Sequence, residues 1–169
     1  MNLAQKLFVG VGLIGSFTLG CKGSESTSPP PEDPLKSECQ KIVSTYHSWS
    51  ERLIARDFAG AMSYCVPGSN CEGRTKVHKQ IWDLGGQSYD DIFRIEVWMT
   101  DDDLARGYGE VVGNTDYYQF VPNTNQGEVD YKLGFDSSVR KIGGQWEIDG
   151  INSNYDVDWW GGSSSGCQR

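Results

Sequence analysis

Between Val129 and Ile151 apolar and polar positions alternate: Val129, Tyr131, Leu133 and Phe135 are set against Asp130, Lys132, Gly134 and Asp136. A period of two is the mark of a half-buried strand. After Gly143-Gly144 the alternation resumes, with Trp146 and Ile148 against Glu147 and Asp149. A Gly-Gly pair between two such runs predicts a tight hairpin, whose turn needs positive φ. Before residue 87 the period is nearer four. Ile42, Tyr46, Trp49 and Leu53, flanked by Val43 and Ile54, form the stripe of an amphipathic helix starting near Leu35, with Ser37 as its expected cap. Asp57 is placed to cap a second, short helix over Phe58 to Val66, stopped by Pro67-Gly68. A third helix is expected over Thr75 to Leu84, ended by Gly85-Gly86.

From there the pattern reads as strands. Ile92 to Met99 is one, with Phe93, Ile95, Val97 and Met99 facing one way; Leu104 to Gly113 and Tyr117 to Val121 are two more. Asp101, Asp102 and Asp103 read as a solvated hairpin tip, since they lack the Gly and downstream Glu of a calcium loop. Three N-terminal helices followed by about five strands define an α+β class, helices packed on one face of a curved antiparallel sheet.

The amino terminus follows another rule. Leu7 to Leu19 is apolar but too short to span a bilayer, and it ends in Thr18-Leu19-Gly20-Cys21. Residues 1–20 are therefore expected to be a signal peptide. Its end resembles the lipobox of bacterial lipoproteins, with Cys21 as the lipidation site, although Thr18 stands where Leu is usual. Residues 21–34, rich in Ser, Pro and Glu, read as a disordered tether. The globular domain is expected over 35–155 and a C-terminal tail over 156–169. The expected address is the cell envelope, anchored by lipid at the outer membrane.

A chain of 169 residues with 37% hydrophobic residues suffices for one compact domain. Its net charge of −8 argues against nucleic acid as a partner, because phosphate neutralisation needs clustered Lys and Arg. Beside Cys21 stand Cys39, Cys65, Cys71 and Cys167, an even set suited to an oxidising compartment. Three connectivities are open; the turn-forming Val-Pro-Gly-Ser-Asn between Cys65 and Cys71 favours that pair, leaving Cys39 for Cys167. No CxxC spacing supports zinc, and no metal or other cofactor is expected.

The element order resembles the nuclear transport factor 2-like family, also called polyketide cyclase and ketosteroid isomerase-like. The likeness rests on the long first helix, on Arg56-Asp57-Phe58-Ala59-Gly60-Ala61-Met62 opening the second, and on the closing Val139 to Ile148 hairpin. It covers about residues 35–151. What it implies is a cone-shaped fold with a pocket between helices and concave sheet, and often a homodimer through the outer sheet face. The family holds isomerases, dehydratases, cyclases and members that only bind, so fold alone assigns no activity. Candidate pocket residues are Tyr46, His78, Trp82 and Trp98. No catalytic residue is placed by any motif, and His78 reads first as a surface histidine. The adjacent Trp159 and Trp160 read as packing across the open end of the cone, with an aromatic binding patch as the alternative. The reading that results is a lipid-anchored envelope protein that binds a small apolar ligand or a partner protein without chemistry. The alternative is an isomerase or dehydratase-type enzyme using a carboxylate or His78.

Overall fold

The computed structural model describes residues 33–125, 127–154 and 166–168. The expected signal peptide, Cys21, most of the tether, Trp159 and Trp160 lie outside the described residues.

The chain opens with α1 (Pro34–Ile54), capped by Asp33, whose carboxylate accepts from the Leu35 N–H. The cap is thus four residues before the expected Ser37, because Pro34 suits a first helical position and lacks the N–H that would go unpaired there. The stripe is as the spacing predicts: Ile42, Tyr46, Trp49 and Leu53 are all fully buried. Burying such side chains contributes roughly 1.5–3 kcal/mol each. Asp57 caps α2 (Phe58–Met62) by accepting from Gly60 N–H. That helix stops short of Val66, because Tyr64 and Val66 exchange backbone hydrogen bonds with Ile148 instead. Ser69 caps α3 (Asn70–Asp83), which starts five residues before the expected Thr75.

A sheet of five strands follows: β1 (Gln87–Trp98), β2 (Tyr108–Phe120), β3 (Glu128–Ile142), β4 (Gln145–Asn154) and β5 (Gly166–Gln168), in spatial order β4-β3-β2-β1-β5. Three departures from expectation have physical causes. Of the two strands expected over 104–121, residues 104–106 are helical and the remainder forms one continuous β2, in which Gly113 is required rather than disruptive: a side chain there would collide with the Phe135 ring. The residues expected as a hairpin tip form α4 (Asp101–Arg106), because Thr100 and Asp103 build a reciprocal capping box. The sheet is mixed, not wholly antiparallel, since β5 pairs parallel to β1 through Glu96, Val97 and Trp98. Within β1 a bulge between Ile92 and Arg94 shifts the alternation, so Ile92, Ile95, Val97 and Met99 are the buried set and Phe93 leaves it. The β3–β4 turn is Gly143-Gly144, with φ of 59° and 87°.

The inner face of this sheet carries the helices. Tyr46 stacks on Phe135 with ring centroids 6.0 Å apart, and its hydroxyl bonds Ser137. The Trp49 indole N–H donates to Thr75 Oγ1 at 3.0 Å, tying α1 to α3. The Ser50 hydroxyl donates to the Asp90 carbonyl and accepts from the Ile92 N–H, fixing α1 on β1. Two disulfides complete the frame: Cys65–Cys71 across the loop before α3, and Cys39–Cys167 from α1 to β5.

Candidate functional site

The interior of the cone is filled by Tyr46, Trp49, Phe135, Ile42 and Leu53, each with no more than a trace of exposure. Of several clefts open on the described domain, one of about 470 Å³ lies between α3 and the sheet. One wall is α3, which presents Asn70, Gly73, Arg74, Val77 and His78; the other is sheet, with Tyr117, Leu133 and Ser153. The helix residues recur at three- and four-residue intervals and so share one face.

Behind the cleft lies a buried polar cluster. Arg74 grips Asp90 with two parallel hydrogen bonds, Nε to Oδ2 and Nη2 to Oδ1, both 2.7 Å, and its Nη1 donates to Ser153 Oγ at 2.6 Å. Asp90 Oδ2 also meets His78 Nε2 at 2.8 Å, while His78 Nδ1 meets Ser88 Oγ at 2.8 Å. A carboxylate only accepts, so Nε2 is the donor toward Asp90. Burial by itself would raise the Asp90 pKa; the Arg74 pair and the His78 hydrogen bond outweigh it and hold the carboxylate well below its ordinary range. The Tyr117 ring flanks the cluster, 6.2 Å from the His78 ring and 5.7 Å from the Arg74 guanidinium carbon.

Ser88, His78 and Asp90 together hold the side-chain types of a hydrolytic relay, but their placement denies that chemistry. Ser88 is fully buried and lines no part of the cleft, so its oxygen has no path to a substrate. Asp90 accepts three hydrogen bonds from its two partners, and both ring nitrogens of His78 are engaged within the buried cluster. A general base needs a site within hydrogen-bond reach of its substrate. These groups spend that reach on one another.

The four pocket candidates from sequence divide. His78 borders the cleft, buried rather than at the surface. Tyr46 is sealed in the core, where burial pushes its hydroxyl pKa up despite the countering bond to Ser137. Trp82 is half-buried behind β1, donating to the Ser88 carbonyl at 3.0 Å and covered by the Arg56 guanidinium 3.8 Å above its ring. Trp98 lies outside the cleft: it alternates with buried Val97 and Met99 and so stands on the outer face, 47% exposed. No sequence pattern singles out Arg74, Ser88 or Asp90. Of these, Asp90 carries one available signal, an acid three residues into a strand at a position whose neighbours alternate outward.

An open, curved sheet cradling three N-terminal helices, with its cleft at the wide end, is the nuclear transport factor 2-like fold. Solved structures of that fold superpose on the domain. Aln2 from a Streptomyces species matches 74% of this chain and 95% of its own, with a TM-score of 0.53 and 14% identity. A nuclear transport factor 2-like protein with a cystatin-like fold from Novosphingobium aromaticivorans matches 73% and 84%, with a TM-score of 0.52 and 7% identity. ActVI-ORFA from Streptomyces coelicolor matches 71% and 98%, with a TM-score of 0.51 and 12% identity. No protein-family model matches the sequence, and no curated protein matches it.

Proposed function

We propose that this chain is a lipid-anchored cell-envelope protein whose domain binds a small, largely apolar ligand at the mouth of the cone and performs no chemistry. The observation that supports binding over catalysis is that Ser88, the hydroxyl His78 meets, is fully buried and lines no part of the cleft. The cleft itself suits a ligand with an apolar body and one polar end. Val77, Tyr117 and Leu133 supply the apolar walls, and Arg74 and Ser153 the polar floor. The anchor at Cys21 rests on the sequence pattern of residues 7–21.

Two experiments test the two halves. Anilinonaphthalene sulfonate, an aromatic body with one anionic group, serves as the cleft probe. Its fluorescence is expected to rise on the wild-type domain and to require at least tenfold more protein with Val77→Asp. Val77 is about half exposed, so this change tests the cleft rather than the fold. Equal titrations for the two proteins would refute the cleft. For the anchor, mass spectrometry of the protein from its host's membranes is expected to show a diacylglyceryl group on Cys21. Unmodified Cys21 behind an intact leader would refute it.

A further inference from the structure

The cleft between α3 and the sheet is polar at one end and apolar at the other. Asn70, Gly73 and Arg74 belong to the start of α3, while Val77 and His78 lie one turn beyond, about 5 Å along the axis. Ser153 stands on the inner face of β4 opposite Phe135 and meets the Arg74 end. Tyr117 and Leu133 wall the remainder.

The hydrogen bonds already made decide what this polar end can offer. Tyr117 directs its hydroxyl to Gln119 Oε1, and both ring nitrogens of His78 are engaged with Ser88 and Asp90. These two residues therefore turn mainly ring toward the cleft. Arg74 commits Nε and Nη2 to Asp90 and Nη1 to Ser153. Ser153 differs from the others. A hydroxyl has one hydrogen and two lone pairs. The 2.6 Å bond from Arg74 occupies a lone pair, and the guanidinium charge repels the hydroxyl hydrogen toward the opposite side. That side opens on the cleft, which the half-buried Ser153 lines. Among the described residues the Ser153 hydroxyl makes no other hydrogen bond.

Charge acts in the same sense. The Asp90 side chain lies behind Arg74, 1% exposed against 17%, so the pair turns its positive end to the cleft. No acidic side chain is among the residues lining it, in a chain whose net charge is −8. An ammonium group, which only donates, would meet a hydroxyl hydrogen backed by a cation. A carboxylate, which only accepts, finds both in its favour.

We infer that the polar end of the ligand is a carboxylate that accepts from the Ser153 hydroxyl with Arg74 behind it, so that the ligand is an apolar monocarboxylic acid and Ser153 is the residue that selects it. This rests on the cleft being the ligand site.

Three probes with one apolar body test it: 2-naphthoate, 2-naphthylmethylammonium and 2-methylnaphthalene, each measured at neutral pH by equilibrium dialysis against the intact protein. Naphthoate is expected to bind at least tenfold more tightly than the ammonium, against the sign of the overall charge, with methylnaphthalene between them. Ser153→Ala is expected to weaken naphthoate about fivefold and leave methylnaphthalene unchanged. Ser153→Thr, which keeps a hydroxyl, is expected to recover most of that loss. Equal weakening of both probes by Ser153→Ala, or none, would overturn the role of Ser153. Naphthoate binding no tighter than the ammonium would overturn the carboxylate, and the cleft would stand if Val77→Asp still weakened methylnaphthalene. Failure of all three probes to bind would overturn the cleft and this inference together.

Discussion

Arg74 and Asp90, sixteen residues apart on α3 and β1, form a bidentate ion pair at 2.7 Å in which the carboxylate is almost wholly buried. Removing one member leaves the other charged and desolvated, which costs far more than the pair contributes. Asp90→Asn is therefore expected to lower unfolding free energy by about 3–5 kcal/mol. Arg74→Met combined with Asp90→Asn is expected to lose less than the two single changes added together. Urea unfolding of the four proteins in a double-mutant cycle measures the coupling, and additivity would show that the pair does not act as a unit.

Acid sensitivity follows from two carboxylates. Glu38 accepts from Lys141, Lys41 and Trp146; burial would raise its pKa, but these partners lower it from 4.5 to about 2. Asp90 is held down in the same sense. A folded-state pKa below the unfolded one gives stability that is complete above the unfolded value and lost as pH falls toward the folded one. Melting temperature is expected to drop steeply between pH 4.5 and about pH 2, and Glu38→Gln is expected to flatten part of that slope. Thermal unfolding followed against pH checks it.

The two disulfides are expected to contribute unequally. Cys39–Cys167 closes a loop of 128 residues and Cys65–Cys71 one of 6. Chain entropy alone gives about 5 kcal/mol for the first and about 2 kcal/mol for the second. Unfolding of Cys167→Ser against Cys71→Ser, each with its partner also replaced, measures the difference.

Gly113 is expected to resist substitution. An alanine methyl would meet both the Phe135 ring and the Arg94 carbonyl oxygen. Overpacking of this kind costs about 1–3 kcal/mol. Phe135→Leu is expected to relieve only part of it, because the carbonyl belongs to the neighbouring strand and does not move with the ring. Melting of the single and double variants tests this.

How much of this is legible in the sequence depends on which side of the core a residue faces. The α1 stripe reads correctly at Ile42, Tyr46, Trp49 and Leu53, which face inward, whereas Ile54 at its flank is exposed. Ser69 and Glu72 spell a capping signal for α3, one that the apolar stripe, starting later, conceals. Thr100 and Asp103 spell another for α4, hidden within a run of acids that resembles a solvated turn. The start of β1 escapes the pattern for a different reason. Ser88 and Asp90 occupy inward positions where a strand ordinarily shows apolar residues, so a reading of hydrophobic period passes over them. The cluster at the cleft is invisible on the same account: polar groups satisfied by one another inside a fold look, in one dimension, like surface.

The bond between Cys39 and Cys167 also sets an order of events. In chain order Cys39, Cys65 and Cys71 all precede Cys167, which lies 128 positions beyond its partner Cys39. Throughout synthesis the thiol on α1 has only wrong neighbours within reach. Cys65 and Cys71, six positions apart, find each other first by proximity and so withdraw those alternatives. The final stitch in the sheet edge waits for β5 to reach β1, and until it does the α1 thiol stays reactive.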